Sequence, residues 1–315
     1  MNKLNLVVVG FGNMGKIHHK SILKSLICNR PIVVDTDKKV LDGSSDVEFF
    51  SSLEEIPKKK IEELDGAIIS SPSSMHLEQA DFFINKKIPI MVEKPLTEDF
   101  DKSMELINNA KDAKVLLKCG LIELYNPIVE ELSKINFEEL KFVHFKRHSP
   151  STSSDRKLEN IILDLTLHDI SVILKIFNPD TIKIVGKELI YNEEVAESAQ
   201  VLLKINDSFT IFLSTSRQDQ EKIRLLEIVD DKASYYCDLK NKYYEKRQSG
   251  EVSPTGLKSI TESNVLNKID MLDKPETAEI QLERFLNSII NNELDEDHLQ
   301  IVEKTHRLAY EILNS

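Results

Sequence analysis

The 315-residue sequence has few cysteines, fewer basic than acidic residues, and no long apolar run. Its three cysteines, Cys28, Cys119 and Cys237, are widely spaced and form no Cys-x-x-Cys pair. That pattern argues against a structural zinc site, so we expect no metal, and it fits a reducing cytoplasm. The 41 basic and 53 acidic residues give a formal net charge of −12, which argues against nucleic acid or an anionic membrane as the main partner.

No apolar run approaches the ~20 residues that a membrane helix needs, so we expect no membrane span. The first residues, "MNKLNLVVVGFG", run directly into a glycine turn without a small-residue cleavage site, so we expect no cleaved leader. The length suits two domains of ~100–200 residues each.

Short apolar runs alternate with helical patterns in the first part of the chain. The runs cover residues 4–10, 31–35, 66–70, 88–92 and 114–120. They are rich in Val and Ile and do not alternate with polar residues, which is typical of central strands covered on both faces. Strands that alternate with helices predict an α/β domain with a doubly wound parallel sheet over residues 1–122.

The pattern changes after residue 122. An apolar helix is expected at about 160–177, followed by strand-like runs at 181–190, 198–217 and 222–239 with hairpin turns at "INDSFTI" and "DDKA". Residues 240–275 are polar, and a helical pair over 278–293 and 296–315 closes the chain. Residues 123–315 therefore predict an α+β domain with a large, mostly antiparallel, open sheet.

A glycine turn follows the first strand in "VVVGFGNMGKIHH", with Gly10, Gly12 and Gly15 in the G-x-G-x-x-G spacing. These glycines allow a tight turn in which the backbone can approach a pyrophosphate. The N-terminus of the following helix can bind the same group, so the motif predicts a dinucleotide site. Asp35 lies twenty residues after Gly15, where a carboxylate can accept the ribose hydroxyls. The candidate cofactor contacts in this region are Gly10, Phe11, Gly12, Asn13, Met14, Gly15, Asp35 and Thr36.

The alternative is a plain glycine-rich turn with a solvated Asp at a strand end. The charge of Asp35 would repel a 2′-phosphate, so NAD is favoured over NADP, whereas Lys38 and Lys39 nearby weigh toward NADP.

Four motifs in order resemble the glucose–fructose oxidoreductase / inositol dehydrogenase (Gfo/Idh/MocA) family over essentially the whole chain. They are "GFGNMG" at 10–15, "SSPSSMH" at 70–76, "EKP" at 93–95 and "DLTLHD" at 164–169. The resemblance implies an NAD-binding Rossmann domain (1–122) and a substrate-binding and oligomerisation domain (123–315). It also implies reversible hydride transfer between NAD(P) and a sugar or other cyclic alcohol, and a homodimer or homotetramer joined through the free face of the second sheet.

Two of these motifs stand at carboxyl ends of predicted parallel strands, where ligands of doubly wound sheets bind. The resemblance adds Ser71, Pro72, His76, Glu93 and Lys94 to the cofactor contacts, with Lys94 beside the nicotinamide and the reacting hydroxyl. Pro95 would set the turn through a cis peptide, and Glu93 would orient the cofactor or pair with a neighbouring cation. The alternatives are a surface lysine on a proline turn and a surface histidine at a helix start.

The apolar helix "NIILDLTLHDISVILKIF" carries Asp164 and His168, four residues apart and therefore on one face of a regular helix. A core histidine satisfied by a carboxylate is the alternative to a catalytic pair. His168 is the favoured general base because its ordinary pKa is nearest neutrality. Asp164 would orient it and hold substrate hydroxyls, while Lys94 would stabilise the alkoxide. In some relatives the lysine takes the proton, and the sequence leaves this open. Asp169 is assigned to the helix surface or to a supporting position.

Two segments depart from the family pattern. "LENIILD" lacks a glycine pair that many relatives have, and "ELYNP" at 123–127 has Leu124 where nucleotide-sugar relatives often have arginine. Tyr125 and Asn126 remain candidate substrate contacts together with Lys94, Asp164 and His168. Residues 146–157 are interpreted as a basic loop whose Arg147 and Arg156 contact phosphate or carboxylate, or else are merely solvated.

"LIELYNP" and "ILDLTLHDI" favour a nucleotide-sugar dehydrogenase over an inositol or free-sugar dehydrogenase. A non-catalytic NAD-binding sensor of sugar or redox state is the alternative from another class. It would be expected to lose Lys94 or His168, and both are present. The particular sugar, the direction of hydride transfer and the choice between dimer and tetramer are left open.

Overall fold

The chain forms two compact units in the computed structural model, which describes residues 3–41, 47–150, 160–248 and 264–315. Unit 1 comprises Met1–Ile122 and Pro275–Arg307, and unit 2 comprises Glu123–Lys274 and Leu308–Ser315. The sequence predicts one continuous second domain over 123–315. Instead, the chain returns to unit 1 after residue 274.

Unit 1 is built on a parallel sheet. Its strands are β1 (Leu6–Val9), β2 (Ile32–Val34), β3 (Glu48–Phe50), β4 (Gly66–Ile69), β5 (Ile90–Val92) and β6 (Leu117–Cys119). The order across the sheet is β3-β2-β1-β4-β5-β6. Every residue of β1, β2, β4, β5 and β6 is buried, which confirms the five predicted runs as central strands. The edge strand β3 is not predicted, because the charged Glu48 interrupts its short apolar run.

The helices of the chain are α1 (Asn13–Lys24), α2 (Lys58–Glu62), α3 (His76–Ile84), α4 (Phe100–Ala113), α5 (Pro127–Leu132), α6 (Leu167–Phe177), α7 (Thr277–Asn291) and α8 (Glu296–Asn314). Local sequence defines their ends. The Asp99 side chain accepts the Lys102 N–H (3.1 Å) at the start of α4, and Lys114 ends that helix in the left-handed conformation. The predicted closing helical pair is confirmed by α7 and α8.

The apolar face of α7 explains why the chain returns to unit 1. Leu282, Phe285 and Leu286 form one buried cluster with Leu6 of β1 and Ile68 of β4. Phe285 is fully buried, and burial of one such side chain contributes roughly 1.5–3 kcal/mol. Helix α7 therefore completes the core of unit 1.

Unit 2 contains a larger sheet. Its strands are β7 (Phe142–Pro150), β8 (Ile182–Asn192), β9 (Val195–Ile205), β10 (Phe209–Ser216), β11 (Gln218–Val229), β12 (Ala233–Asp238), β13 (Tyr243–Gln248) and β14 (Asn264–Asp270). The order is β14-β13-β12-β11-β7-β10-β9-β8. β7 and β10 run parallel and the other neighbouring pairs antiparallel, so the predicted mostly antiparallel sheet is confirmed.

One expectation about unit 2 is wrong. The segment that begins the predicted basic loop is the central strand β7, in which Val143, Phe145 and Arg147 are buried. The pattern is hard to recognise because one of the inward positions carries a charge. The polar stretch 240–275 also contains the strands β13 and β14.

The predicted helix at 160–177 is confirmed, with one local difference. Ile162–Thr166 forms a π-helical turn that leads into α6. Thr166 donates a hydrogen bond to the Thr215 hydroxyl of β10 (3.0 Å), so the junction is tied to the sheet. π-helical turns are rare and frequent at functional sites, and this one contains Asp164 and directly precedes the turn that carries His168.

Candidate active site

The glycine turn of unit 1 has no room for side chains at two of its positions. Gly10 has a φ of +84°, and a Cβ there would lie 2.5 Å from the Ser71 backbone nitrogen. A Cβ on Gly15 would lie 2.0 Å from the Gly10 carbonyl oxygen. Gly12 precedes α1 and no side chain caps that end, so the first N–H groups of the helix are not used by a cap. This backbone fits the pyrophosphate of a dinucleotide.

Asp35 follows β2 and reaches back to the glycine turn. Its Oδ2 accepts the Phe11 N–H at 2.7 Å, and its Oδ1 accepts the Asp37 N–H at 2.9 Å. The Phe11 side chain is buried with Val33 and Leu41, so it belongs to the core and only its backbone faces the turn. The carboxylate is thereby fixed where a ribose would follow the pyrophosphate. Asn13, Met14 and Thr36 are at least partly exposed around the same turn.

The "EKP" turn follows β5. The Lys94–Pro95 peptide is cis, as expected. Glu93 is buried, and its Oε1 lies 2.7 Å from Nε2 of His18 on α1. Of the two roles expected for Glu93, the contact with a neighbouring basic side chain is therefore found. Gly120 makes room for it, because a Cβ there would lie 2.5 Å from Glu93 Oε2.

His76 links the "SSPSSMH" loop to the "EKP" turn. Its Nδ1 lies 3.1 Å from the Pro95 carbonyl oxygen and 3.2 Å from that of Leu96, and its Nε2 lies 2.9 Å from the carbonyl oxygen of Ser71. The ring is 1% exposed, so the interpretation as a surface histidine is wrong. Both ring nitrogens are engaged with backbone, so His76 supports the turn that presents Lys94. Pro72 is exposed, and the Ser71 hydroxyl donates to Gln79 (2.6 Å).

His306 of α8 holds the same turn from another side. Its Nε2 accepts the Leu96 N–H at 3.0 Å, while Nδ1 donates to the Val302 carbonyl at 2.8 Å. Burial lowers the pKa of His306 to about 4, so the ring is neutral and can accept at neutral pH. His306 is not predicted from the sequence, because a histidine in a terminal helix carries no local signal for a turn 210 residues earlier.

In unit 2, Asp164 is bound by a residue that the sequence analysis does not identify. Arg217, just after β10, donates from Nη2 to Asp164 Oδ2 at 2.6 Å. The Arg217 side chain is 6% exposed and that of Asp164 is 32% exposed. His168 is 8% exposed, and the Ser171 hydroxyl donates to its carbonyl at 2.7 Å. Asp164 is thus a fixed carboxylate that still reaches solvent.

Arg147 is buried between two carboxylates. Its Nε donates to Asp169 Oδ1 at 2.8 Å and its Nη1 donates to Glu123 Oε1 at 3.0 Å, with all three side chains 3% exposed. Despite the opposing effect of burial, these carboxylates raise the pKa of Arg147 above its ordinary value. The expectation of a loop arginine that contacts substrate is therefore wrong for Arg147. Asp169 is likewise a buried ion-pair partner, not a surface residue.

Glu123 accepts hydrogen bonds from two arginines and from Asn126. Burial alone would raise its pKa, but Arg147 and Arg224 outweigh it and hold the pKa of Glu123 below its ordinary value. The amide of Asn126 donates to Glu123 Oε2 (3.1 Å) and to the Leu239 carbonyl (2.9 Å), while its Oδ1 accepts the Ile128 N–H (3.1 Å). Asn126 therefore caps α5 and braces the network, which corrects its assignment as a substrate contact.

Two predicted substrate contacts remain, Tyr125 and Arg156. Tyr125 ends a short 3₁₀ turn, Ile122–Tyr125, and is partly exposed. Arg156 lies outside the described residues. Within unit 1 the structure thus brings together the glycine turn, Asp35, the Ser71 loop and the Lys94 turn, and within unit 2 it places Asp164 and His168 on one helical segment.

Two findings concern absences within the described ranges. Among residues 3–41, 47–150, 160–248 and 264–315, no three His, Cys, Asp or Glu side chains are close enough to hold a metal ion. In the same part of the chain, no helix combines the length and the apolar character that crossing a bilayer requires.

Comparison with known proteins places this geometry in context. Residues 4–121 match the family model GFO_IDH_MocA, described as "Oxidoreductase family, NAD-binding Rossmann fold". The motifs at 10–15, 70–76 and 93–95 lie within this match, so the resemblance is confirmed over that part of the chain.

One relative aligns with most of the chain. The UDP-N-acetylglucosamine 3-dehydrogenase of Acidithiobacillus ferrooxidans is 21% identical over 285 residues, which cover 90% of this chain and 87% of that protein. Its solved structure matches with a TM-score of 0.81 at 20% identity, covering 99% of this chain and 97% of that one.

Two further proteins are similar in part or in fold. The inositol 2-dehydrogenase of Pseudarthrobacter chlorophenolicus is 25% identical over 187 residues, about half of each protein (54% of this chain and 53% of that one). The structure of a 3-ketoreductase variant from Actinomadura kijaniata, in complex with TDP-benzene and NADP, has a TM-score of 0.80 at 12% identity and covers 99% of this chain and 98% of that one. At such identities the structural similarity shows a shared fold.

Proposed function

Because residues 4–121 match the Gfo/Idh/MocA family model and 90% of the chain aligns with a UDP-N-acetylglucosamine 3-dehydrogenase, we propose that the chain is a Gfo/Idh/MocA oxidoreductase and, within that family, a dehydrogenase of nucleotide sugars. It transfers a hydride between NAD and a secondary alcohol or ketone of the sugar. The observation that carries the dehydrogenase assignment is the glycine turn joined to Asp35 through the Phe11 N–H. The nucleotide-sugar class is supported by the alignment of 90% of the chain with a UDP-N-acetylglucosamine 3-dehydrogenase.

The residues of unit 1 fit a dinucleotide. The backbone of Gly10–Gly15 and the uncapped start of α1 would receive the pyrophosphate, and Asp35 would accept the ribose hydroxyls. NAD, when bound, accepts a hydride from the carbinol carbon of the substrate. Structures of this fold have been solved with NADP and with NAD, so our preference for NAD rests on the negative charge of Asp35, which opposes a 2′-phosphate.

The chemistry of this chain's own residues follows from their types. The Lys94 ammonium stabilises negative charge on the substrate oxygen as the hydroxyl proton leaves. His168 is the general base for that proton, with Lys94 as the alternative acceptor. Arg217 fixes the Asp164 carboxylate, which holds substrate hydroxyls with its solvent-facing part. Glu93, His76 and His306 keep the Lys94 turn in place.

We also propose a cytoplasmic enzyme that assembles as a homodimer or homotetramer. All three cysteines are free and buried, which suits a reducing compartment. Apolar side chains on unit 2, among them Phe142 (43% exposed) and Leu202 (36% exposed), lie with Phe212 on one face of the sheet. An exposed apolar patch of this kind usually marks an interface.

An absorbance screen for reduced nicotinamide tests the function. UDP-sugars, inositols and free sugars are offered with NAD and with NADP to the full chain. We expect the highest kcat/KM with a nucleotide sugar and NAD. Highest activity with an inositol would favour the second candidate, which the partial match to an inositol 2-dehydrogenase supports. Tight NAD binding without turnover of any compound would favour the non-catalytic sensor.

A further inference from the structure

The charge network around Arg147 has one end that opens to solvent. Glu123 Oε1 accepts hydrogen bonds from both Arg147 and Arg224, each at 3.0 Å. The Arg147 and Glu123 side chains are 3% exposed, but that of Arg224 is 29% exposed. Arg224 pairs with Arg147 across β11 and β7, so its guanidinium forms the outer end of a buried row of charges.

Positive charge exceeds negative charge at this outer end. Burial lowers the pKa of Arg224, and the neighbouring Arg147 cation lowers it further. The Asp169 carboxylate accepts from Arg147, whereas Glu123 Oε1 accepts from both Arg147 and Arg224. Glu123 must therefore serve two guanidinium groups with one shared oxygen.

Lys222 adds a further cation two residues before Arg224. It is exposed, and the Arg224 cation is the main cause that lowers the pKa of its ammonium, followed by burial and by Lys240 and Arg147. Glu123 opposes these effects only as the smallest of the causes. A bound anion stabilises an ammonium group whose principal neighbours are cations, because the negative charge offsets the repulsion between the positive charges.

We propose that Arg224 and Lys222 form an anion subsite that binds the phosphate or diphosphate group of the substrate. A planar guanidinium already oriented by Glu123 offers its remaining N–H groups to phosphate oxygens, and the ammonium supplies a mobile charge beside it. The subsite lies entirely in unit 2. It deepens the proposed function, on which it rests, by naming the residues that select a phosphorylated sugar over a neutral one.

The subsite is connected to the proposed base within unit 2. Asp169, which binds Arg147, directly follows His168 in α6. Arg147 in turn shares Glu123 with Arg224. A row of hydrogen-bonded side chains thus runs from the helix that carries His168 to the subsite.

Calorimetric titration of the full chain tests the subsite directly. The probes are UDP, glucose 1-phosphate and neutral myo-inositol, each in saturating NAD so that the dinucleotide site is already filled. Lys222→Ala removes one cation without touching the buried network, and Lys232→Ala, an exposed lysine paired with Glu138, is the charge-matched control. Arg224→Lys keeps the positive charge but removes the planar guanidinium group with its paired N–H donors.

We expect Lys222→Ala to weaken UDP binding roughly tenfold, on the scale of one charge-assisted hydrogen bond, and Arg224→Lys to weaken it comparably. Lys232→Ala should leave it unchanged. In turnover, Lys222→Ala should raise the KM for a nucleotide sugar by a similar factor with kcat nearly constant, the signature of lost uniform binding. Binding of glucose 1-phosphate in place of UDP would identify a sugar phosphate as the source of the anion.

The outcomes separate this inference from the proposed function. Equal UDP affinity of Lys222→Ala and Lys232→Ala, or no binding of either phosphate compound by the unaltered chain, overturns the subsite. If the enzyme turns over a nucleotide sugar and the Lys222→Ala substitution does not change its KM, the proposed function is supported and the subsite is not. Lys222-dependent UDP binding in an enzyme that oxidises only inositols supports the subsite and overturns the assigned substrate.

Discussion

Nε2 of His18 lies 2.7 Å from Oε1 of Glu93, and both side chains are buried within unit 1. This contact joins the helix that begins at the glycine turn to the residue that precedes Lys94. The two regions that the sequence analysis assigns to cofactor binding are therefore held together by one polar pair in an apolar interior.

Replacement of Glu93 should destabilise unit 1. Glu93→Ala leaves His18 Nε2 buried without an acceptor, which costs about 1–3 kcal/mol, whereas Glu93→Gln keeps an acceptor and should cost less. Urea unfolding measures both. Glu78→Ala removes an exposed acid and serves as the control. Equal free energies of unfolding of the Glu93→Ala and Glu78→Ala proteins would show that the His18–Glu93 pair does not contribute to stability.

Asp35 should determine the choice between NAD and NADP. Asp35→Ser removes the charge that opposes a 2′-phosphate, so the ratio of NAD to NADP affinity should fall by roughly tenfold, or about 1.4 kcal/mol, which is close to the ~1 kcal/mol of a well-hydrated charge interaction at ~4 Å. Fluorescence titration of both cofactors measures it. Asp37→Ser removes a neighbouring exposed carboxylate as a control. Equal affinity of the unaltered protein for the two cofactors contradicts the assignment.

Lys94 and His168 should each be needed for turnover. Lys94→Ala and His168→Ala should lower kcat by roughly two to four orders of magnitude, the usual scale of lost acid–base or electrostatic help. The double variant should lose much less than the product of both effects, because groups that serve one step are not additive. NAD affinity of His168→Ala should change little. Lys86→Ala, an exposed lysine, is the control, and a His168→Ala enzyme with near-full turnover removes His168 from the mechanism.

His306 should make stability fall in acid. Its pKa is about 4 in the folded protein and ~6.5 when unfolded, so the unfolded state binds the proton first as pH decreases. The stabilisation is complete above pH ~6.5 and is lost between there and pH ~4, with a total near ~3 kcal/mol. In urea unfolding across this range, His306→Gln, which can still accept from Leu96, should show a flatter dependence. An unchanged pH profile of that variant would refute the assignment.

The open face of the unit 2 sheet should form the interface of the oligomer. Phe142 packs against His144 (ring centroids 6.0 Å apart), which in turn lies against Phe212 (5.1 Å). Leu202→Glu places a charge beside this cluster and should convert the assembly to monomers in light scattering. Leu26→Glu, at a leucine of unit 1 that is 86% exposed, should not. A monomeric unaltered protein at micromolar concentration would contradict the prediction.

The sequence by itself determined the features that depend on neighbouring residues. Apolar runs rich in β-branched residues specified the buried strands β1, β2, β4, β5 and β6, since such runs are stable only where both faces are covered. The glycine spacing and Asp35 indicated the cofactor turn, because a tight turn and a strand-end carboxylate are local properties.

Only the tertiary structure decided which charged residues lie inside. The sequence predicts that Arg147 lies in a basic loop, but the residue is buried in β7. Its charge is compensated there by Glu123 and Asp169, which are 24 and 22 residues away in the chain. Arg217 binds Asp164 from 53 residues away, and His306 accepts from Leu96 across 210. The cost of burying a charge or a polar group depends on its partners, and these partners become neighbours only when the sheets and helices have packed.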